Sequence, residues 1–388
     1  MTTDLRPEEL RVALFSGNYN YVKDGANQAL NRLTGHMLSR GVSMRIYSPT
    51  IDNPPFQATG EVVSISSVPV PGRGEYRFGF GLIGAQDDLE AYKPHLVHIS
   101  SPDVIGHRAA RWAEKNGVPL VASVHTRFET YFRYYRLGWL QGLGERILER
   151  LYNKCVEIYA PSDSMADLLR DQGMNENVLI WSRGIDQNLY DPARRDMAWR
   201  RGLGIDDEDV VVLFVGRLVL EKGLDVFSDT LAELDRRGQR YKALFVGDGP
   251  AREWIEDRAP QGIFTGFLGG EDLARAYASA DIMFNPSSTE TFGNVTLEAM
   301  ASGLPVVAAR ATGSSTLVKD GENGILTEPD NVQQSADGLQ HYLTDEAART
   351  AAGAAGIERS KAFDWDAINE GLLQRYLAVV NAHRAGRS

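Results

Sequence analysis

The sequence predicts an α/β protein built from two halves, each a doubly wound parallel sheet. Three observations carry that expectation. Apolar, β-branched runs alternate with helical patterns along the chain, as βαβ units require. Two such series occur, one opening at Arg11–Ser16 and one at Val210–Val215. The length of 388 residues exceeds one ordinary core, so two domains is the prior.

In the first series, RVALFS reads as a buried strand. A glycine-containing turn follows, then a helix from Ala26 to Arg40 that Gly41 is placed to stop. Val42–Tyr47, Leu96–Ile99, Pro119–Val124 and Glu157–Ala160 repeat the strand theme. The second series continues through Lys242–Val246, Ile263–Thr265, Ile282–Asn285 and Pro305–Ala308, with helical patterns at Leu224–Arg237 and Glu271–Ser279. Between the series, Gly184–Gly204 holds Pro192, charges and little periodicity. The expected boundary therefore lies at 190–205, giving domains 1–192 and 205–364. Phe363–Arg384 is amphipathic, with Trp365, Ile368, Leu372 and Tyr376 at helical spacing; local sequence leaves open which domain it packs on. Two such halves should face each other across a cleft, with ligands at the carboxyl ends of strands.

Composition narrows the classes. At 43% hydrophobic and 24% charged the chain is globular rather than disordered. The net charge is −11, yet residues 1–200 carry 23 basic and 23 acidic side chains, so the whole excess lies in 201–388. Nucleic-acid binding needs a basic face and is disfavoured. The one cysteine, Cys155, excludes an intrachain disulfide and a multi-cysteine zinc site. It reads as a small buried hydrophobe. Met1–Glu9 is acidic without an apolar signal region, and no run reaches the roughly 18 apolar residues of a membrane span. A cytoplasmic protein is expected, with contact to a membrane surface left open.

Three features of the second half suggest chemistry. Gly216-Arg217-Leu218 follows a strand, and Glu221-Lys222-Gly223 opens the next helix. An Arg and a Lys beside a helix N-terminus suit a pyrophosphate, because the free N–H groups and the dipole add to their charge. Alone, the same pair could be solvated surface. Glu290 and Glu298 flank a loop, Phe292-Gly293-Asn294-Val295, that enters a helix. Its backbone N–H groups would point at an anion or a sugar hydroxyl, and Gly293 would admit a ligand close to the backbone. The two carboxylates could grip two hydroxyl-rich parts of one ligand; a lone Glu pair is otherwise a solvated helix face. Gly247-Asp248-Gly249-Pro250 is a strand-to-helix turn of common composition.

In the first half, Gly25 precedes a helix whose N-terminus suits a second phosphate contact. The loop before that helix does not form G-x-G-x-x-G, no P-loop and no H-E-x-x-H occurs, and we find no metal site. His125 ends a strand, where capping or packing is the common role and catalysis the sharper one. Residues 126–139 hold Arg127, Arg133 and Arg136 interleaved with Phe128, Tyr131, Phe132, Tyr134, Tyr135 and Trp139. A packed helix with a basic face fits them. So does an acceptor loop meeting a lipid headgroup, since Arg attracts anionic phosphates and Tyr and Trp favour the interface.

Taken together, these motifs resemble a family. G-R-L-x-x-E-K-G at 216–223, G-D-G-P at 247–250, A-S-A-D at 278–281, P-S-x-x-E-T-F-G-x-V-x-L-E-A-M-A-x-G-x-P-V-V at 286–307 and D-G-x-N-G at 320–324 are similar to the family 4 retaining glycosyltransferases of GT-B fold. His125-Thr126 with the aromatic stretch, and Trp181-Ser-Arg-Gly-Ile-Asp186, resemble sulfoquinovosyl-diacylglycerol synthases, phosphatidylinositol mannosyltransferases and bacterial glycolipid glycosyltransferases.

The resemblance implies two Rossmann-like doubly wound domains facing across a cleft, with a C-terminal helix, 365–388, crossing back to an acceptor-binding N-terminal domain. It implies a UDP- or GDP-sugar donor, no metal or other cofactor, and retention of configuration. Arg217 and Lys222 would hold the diphosphate as it leaves, Glu290 the sugar hydroxyls beside the amides of Phe292 to Val295, and Glu298 the ribose. Gly25, Gly216 and Gly247 would lie along the nucleotide, Gly266-Phe267 against the base, and His125 near the reacting sugar. Arg127, Tyr131, Arg133, Tyr134, Arg136 and Trp139 would meet a lipid acceptor and an anionic membrane at the cytoplasmic face. A soluble acceptor, or a sugar-nucleotide epimerase of the same fold, is the alternative. Two departures stand out. Thr312-Gly313-Ser314-Ser315 replaces paired glycines, so hydroxyls are expected to reshape the donor end. The loop Tyr21–Asn27 carries Lys23 and Asp24 where Asn-Gly-Val is common.

Overall fold

A computed structural model describes residues 4–22, 25–70, 73–125 and 141–386. The chain forms two compact units, Met1–Arg183 with Trp365–Ser388, and Gly184–Asp364.

The first unit contains β1 (Arg11–Phe15), β2 (Ser43–Ser48), β3 (Glu61–Ser64), β4 (Ser67–Val70), β5 (Arg73–Gly79), β6 (Leu96–Ile99), β7 (Leu120–Ser123), β8 (Glu157–Ala160) and β9 (Val178–Ile180). Seven strands form a parallel sheet in the order β3-β2-β1-β6-β7-β8-β9, and β4 and β5 form an antiparallel ribbon. The continuous apolar character of β1 has a direct cause: Val12 and Leu14 join one core and Ala13 and Phe15 join the other, so both faces are covered.

The second unit contains β10 (Val211–Val215), β11 (Lys242–Val246), β12 (Ile263–Gly266), β13 (Ile282–Asn285), β14 (Val306–Ala309) and β15 (Gly324–Thr327). All six are parallel, in the order β12-β11-β10-β13-β14-β15. In β10, Val211 and Leu213 face one core while Val212 and Phe214 face the other. Each sheet reverses direction beside its first strand, between β1 and β6 and between β10 and β13. Open α/β sheets bind ligands just beyond such a reversal, at the carboxyl ends of the strands.

The terminal segment forms a helix, Trp365–Ala385, that belongs to the first unit. Leu372, Leu373, Tyr376 and Val380 pack into the core that also holds Val12, Leu14 and Leu30. The helix Gly25–Ser39 stops where expected, with Gly41 at φ +82°.

The stretch 184–204 is not a free connection. Arg200 is completely buried, donates to Ser279 O at 2.8 Å and Asp209 O at 2.6 Å, and pairs with Asp281 at 3.0 Å. Ile185 N–H donates to Phe363 O. The segment is irregular in sequence because it wraps the second unit instead of repeating a strand–helix period, and the boundary falls at Gly184. The strands β4 and β5 were also invisible to periodicity: Pro69 interrupts one, and Phe78 faces outward at 50% exposure, so no apolar face marks the ribbon.

Candidate active site

The loops that leave β10 and β13 flank the switch point of the second sheet, and they bring the two motifs together. A short turn, Leu220–Lys222, ends at Gly223, which opens the helix Leu224–Arg236. Thr289 Oγ1 donates to Glu221 O at 3.2 Å, tying one loop to the other. Lys222 Nζ then lies 2.6 Å from Glu290 Oε1, both side chains being partly shielded. Arg217 is exposed, and its guanidinium has no ion pair or hydrogen bond among the described residues. A cation left without a partner beside a helix N-terminus can take up an anion at little cost.

The glycine turns form the floor of the site. Gly247, after β11, has φ +141°, and a Cβ there would fall 1.9 Å from Gly216 O. The backbones of the two turns are in direct contact, which no side chain would permit. Gly247 N–H donates to Gly266 O at 2.9 Å, and Leu218 N–H donates to Asp248 O at 3.0 Å. The ends of β10, β11 and β12 are thereby knitted into one surface. Phe267, next along, is 69% exposed.

Gly293, at φ +92°, precedes the helix Asn294–Ala301 and supplies no side-chain cap. The first N–H groups of a helix lack acceptors within it, and Gly293 has no side chain to cap them. Phe292, buried, anchors the loop edge-on against Phe363 at 5.9 Å. Asn294 and Val295, half-buried, begin the helix. Glu298 lies on its second turn, where Tyr277 O–H donates to Glu298 Oε2 at 2.8 Å. Burial raises the Glu298 carboxyl to about 7, against the opposing effect of hydrogen bonds from Tyr277 and Tyr190. The two tyrosine rings meet edge to face at 5.7 Å.

The expectation that serine hydroxyls reshape the donor end at 312–315 is corrected for Ser314. Its Oγ points inward, donates to Ala309 O and accepts from Ala311 N–H. The hydroxyl therefore caps its own helix start. Gly313 N–H donates to Glu290 O at 2.8 Å and closes the loop.

In the first unit, Gly25 begins the helix Gly25–Ser39, which follows the carboxyl end of β1. Lys23 and Asp24 lie outside the described residues, as do Arg127, Tyr131, Arg133, Tyr134, Arg136 and Trp139. His125 follows β7 and is held from both sides. Its Nε2 is 2.9 Å from Ser123 Oγ, and its Nδ1 is 2.7 Å from Arg183 Nη2. Burial, with the nearby Arg183, depresses its pKa well below the usual histidine value. Among the described residues no group of three His, Cys, Asp or Glu side chains could hold a metal ion.

Three residues escaped the sequence. Tyr190 and Tyr277 come to Glu298 from distant stretches, and Arg183 comes to His125 from 58 positions away. Arg183 stood within the Trp181–Asp186 motif, but nothing in that motif indicates what it touches.

Comparison with known proteins agrees with this geometry. The family described as "Glycosyl transferases group 1" matches residues 196–359, and "Glycosyltransferase Family 4" matches residues 23–189. A GDP-mannose-dependent alpha-mannosyltransferase of Corynebacterium glutamicum is 31% identical over 380 residues, covering 97% of this chain and 90% of that one. Sulfoquinovosyl transferase SQD2 of Arabidopsis thaliana is 34% identical over 72% of this chain and 56% of its own length. Among solved structures, sucrose-phosphate synthase from Thermosynechococcus elongatus superposes with a TM-score of 0.79 at 20% identity, covering 95% of this chain and 98% of that one. HepE of Anabaena, solved with UDP and glucose, gives 0.75 at 21% identity, over 94% and 99% of the two chains. The paired α/β units are thus those of the GT-B fold, and this chain belongs to the family 4 glycosyltransferases, enzymes that transfer a sugar from a nucleotide-sugar donor.

Proposed function

We propose that the chain transfers mannose from GDP-mannose to a lipid acceptor, with retention of configuration and without a metal. The observation that carries the donor is the near full-length similarity to the alpha-mannosyltransferase of Corynebacterium glutamicum, whose name specifies GDP-mannose. Mycolicibacterium smegmatis has a relative of the same name, 29% identical over 96% of this chain.

In this reading the diphosphate sits against Arg217, Lys222 and the first turn of Leu224–Arg236. Their charge offsets the negative charge that builds on the leaving phosphate, which is the work a divalent cation does elsewhere. Glu290 exchanges part of its contact with Lys222 for the sugar hydroxyls. Glu298 accepts from the ribose, and the exposed Phe267 ring lies against the base. The anomeric C–O bond to the phosphate breaks as the acceptor oxygen bonds the same face, and the acceptor's proton passes to the departing phosphate oxygen. The Arg- and aromatic-rich stretch 126–139 suits a lipid headgroup at the cytoplasmic face of a membrane.

The test is direct. The purified chain is incubated with GDP-mannose, UDP-glucose or UDP-sulfoquinovose and vesicles of mixed anionic lipids. Release of GDP with formation of an α-linked mannolipid is expected. Turnover only with a UDP-sugar, or only with a soluble sugar acceptor, overturns the donor or the acceptor assignment respectively. A β-linked product overturns retention.

A further inference from the structure

His125 sits at the end of a buried polar chain that the transfer reaction, as described, does not use. Arg183, only 4% exposed, donates from Nη1 to Trp181 O at 3.0 Å and from Nη2 to His125 Nδ1 at 2.7 Å. Its guanidinium also lies over the Trp181 ring, 4.9 Å from the centroid. On the other side of His125, Ser123 Oγ bridges 2.9 Å to His125 Nε2 and 2.8 Å to His98 Nε2. His98 is completely buried, and its Nδ1 meets the Tyr376 hydroxyl of the terminal helix at 2.5 Å.

The charge type of Arg183 decides the proton on His125. A guanidinium carries donors only, so the Nδ1 facing it must be a bare acceptor. The one ring proton of neutral His125 is then on Nε2 and is donated to Ser123. Protonating Nδ1 would set two donors head to head, beside a buried cation. Arg183 has no carboxylate partner among the described residues, and burial lowers its pKa to about 10. Keeping an unpaired buried cation is expensive, so it marks a functional constraint more than a structural one.

We propose that Arg183 is a positioning residue for sugar transfer: it holds His125 as the neutral Nε2–H tautomer, with its ring fixed through Ser123 and His98 to Tyr376 of the terminal helix. His125 then presents an uncharged, immobile ring to the site and does not accept a proton from the acceptor. This rests on the reading that places His125 at the reacting sugar. Besides Arg183, His98 acts on His125, and burial holds His98 itself neutral.

The experiment uses the full chain labelled with ¹⁵N-histidine and long-range proton–nitrogen correlation from pH 5.5 to 8, with His125→Gln identifying the signal. Wild type is expected to show His125 protonated on Nε2, bare on Nδ1 and unchanged across this range. Arg183→Met should make His125 titrate within the range. It should also slow acceptor-independent hydrolysis of GDP-mannose about 10- to 100-fold, the scale of losing a group that orients a functional imidazole. GDP affinity should stay unchanged by calorimetry. Arg183→Lys keeps one donor and should restore the wild-type signal. An unchanged His98 signal reports that the first unit remains folded. A wild-type His125 protonated on Nδ1, or a non-titrating His125 in Arg183→Met with His98 intact, overturns the proposal. If His125→Gln hydrolyses GDP-mannose at the wild-type rate, the placement of His125 at the sugar fails instead, whichever tautomer is found.

Discussion

Lys222 Nζ stands 2.6 Å from Glu290 Oε1, and the two residues come from the loops on either side of the sheet reversal between β10 and β13. They are 68 residues apart in sequence. In the proposed complex Lys222 would hold the diphosphate and Glu290 the sugar hydroxyls.

The first prediction uses that pair. Lys222→Ala should reduce kcat by about 100- to 1,000-fold, the scale of removing one preorganised charge-stabilising donor. Because the pair is partly exposed, stability should change by less than about 1 kcal/mol. Thermal unfolding beside GDP-mannose turnover checks both. A large loss of stability with normal turnover would make the pair structural.

Glu298 gives a pH dependence. Its carboxyl is raised to about 7 from the ordinary 4.5 by burial, so the folded state holds the proton more tightly than the unfolded chain. Its contribution to stability is therefore full below pH 4.5 and is lost as pH rises through about 7. Ribose binding by an ionised carboxylate runs the other way. GDP affinity should rise by up to roughly tenfold between pH 6 and 8 and become flat in Glu298→Gln, as measured by calorimetry.

Arg200 tests whether the stretch 184–204 is built into the second unit. Removing a buried partner leaves the other charge uncompensated, so Arg200→Met should cost about 3–5 kcal/mol. Asp281 would keep Arg195, at 2.7 Å, and the Val211 N–H, at 2.8 Å, but lose its buried cation. Urea unfolding reads this. A loss below 1 kcal/mol would return the stretch 184–204 to the role of a connection.

Gly247→Ala places a methyl 1.9 Å from Gly216 O, a clash between two backbones that no rotamer relieves. The turns must separate, so GDP binding should weaken at least about tenfold and stability fall by more than about 1 kcal/mol. Gly238→Ala is the control, since it adds a methyl with no atom within 4 Å although its φ of +69° is also unfavourable. Equal losses in both variants would assign the effect to backbone conformation alone.

Sequence alone determined the parallel α/β class, the strands β1, β2, β6 to β8 and β10 to β14, and the motif positions at 216–223 and 286–307. Those are local properties: a strand covered on both faces must read as a continuous apolar run, and a glycine turn into a helix must show its glycine. The terminal helix was legible as a helix from its stripe, and the family resemblance, not the stripe, placed it on the first unit, since an amphipathic stripe shows that a face is buried without showing against what. Only the tertiary structure decided that Arg200 is buried within the second unit, that Ser314 caps its own helix, and that Arg183 and Tyr376 bracket the His125–Ser123–His98 chain. Each of these depends on contacts between residues far apart in the chain. Their energy comes from desolvated charge and hydrogen-bond geometry, which residue spacing does not record.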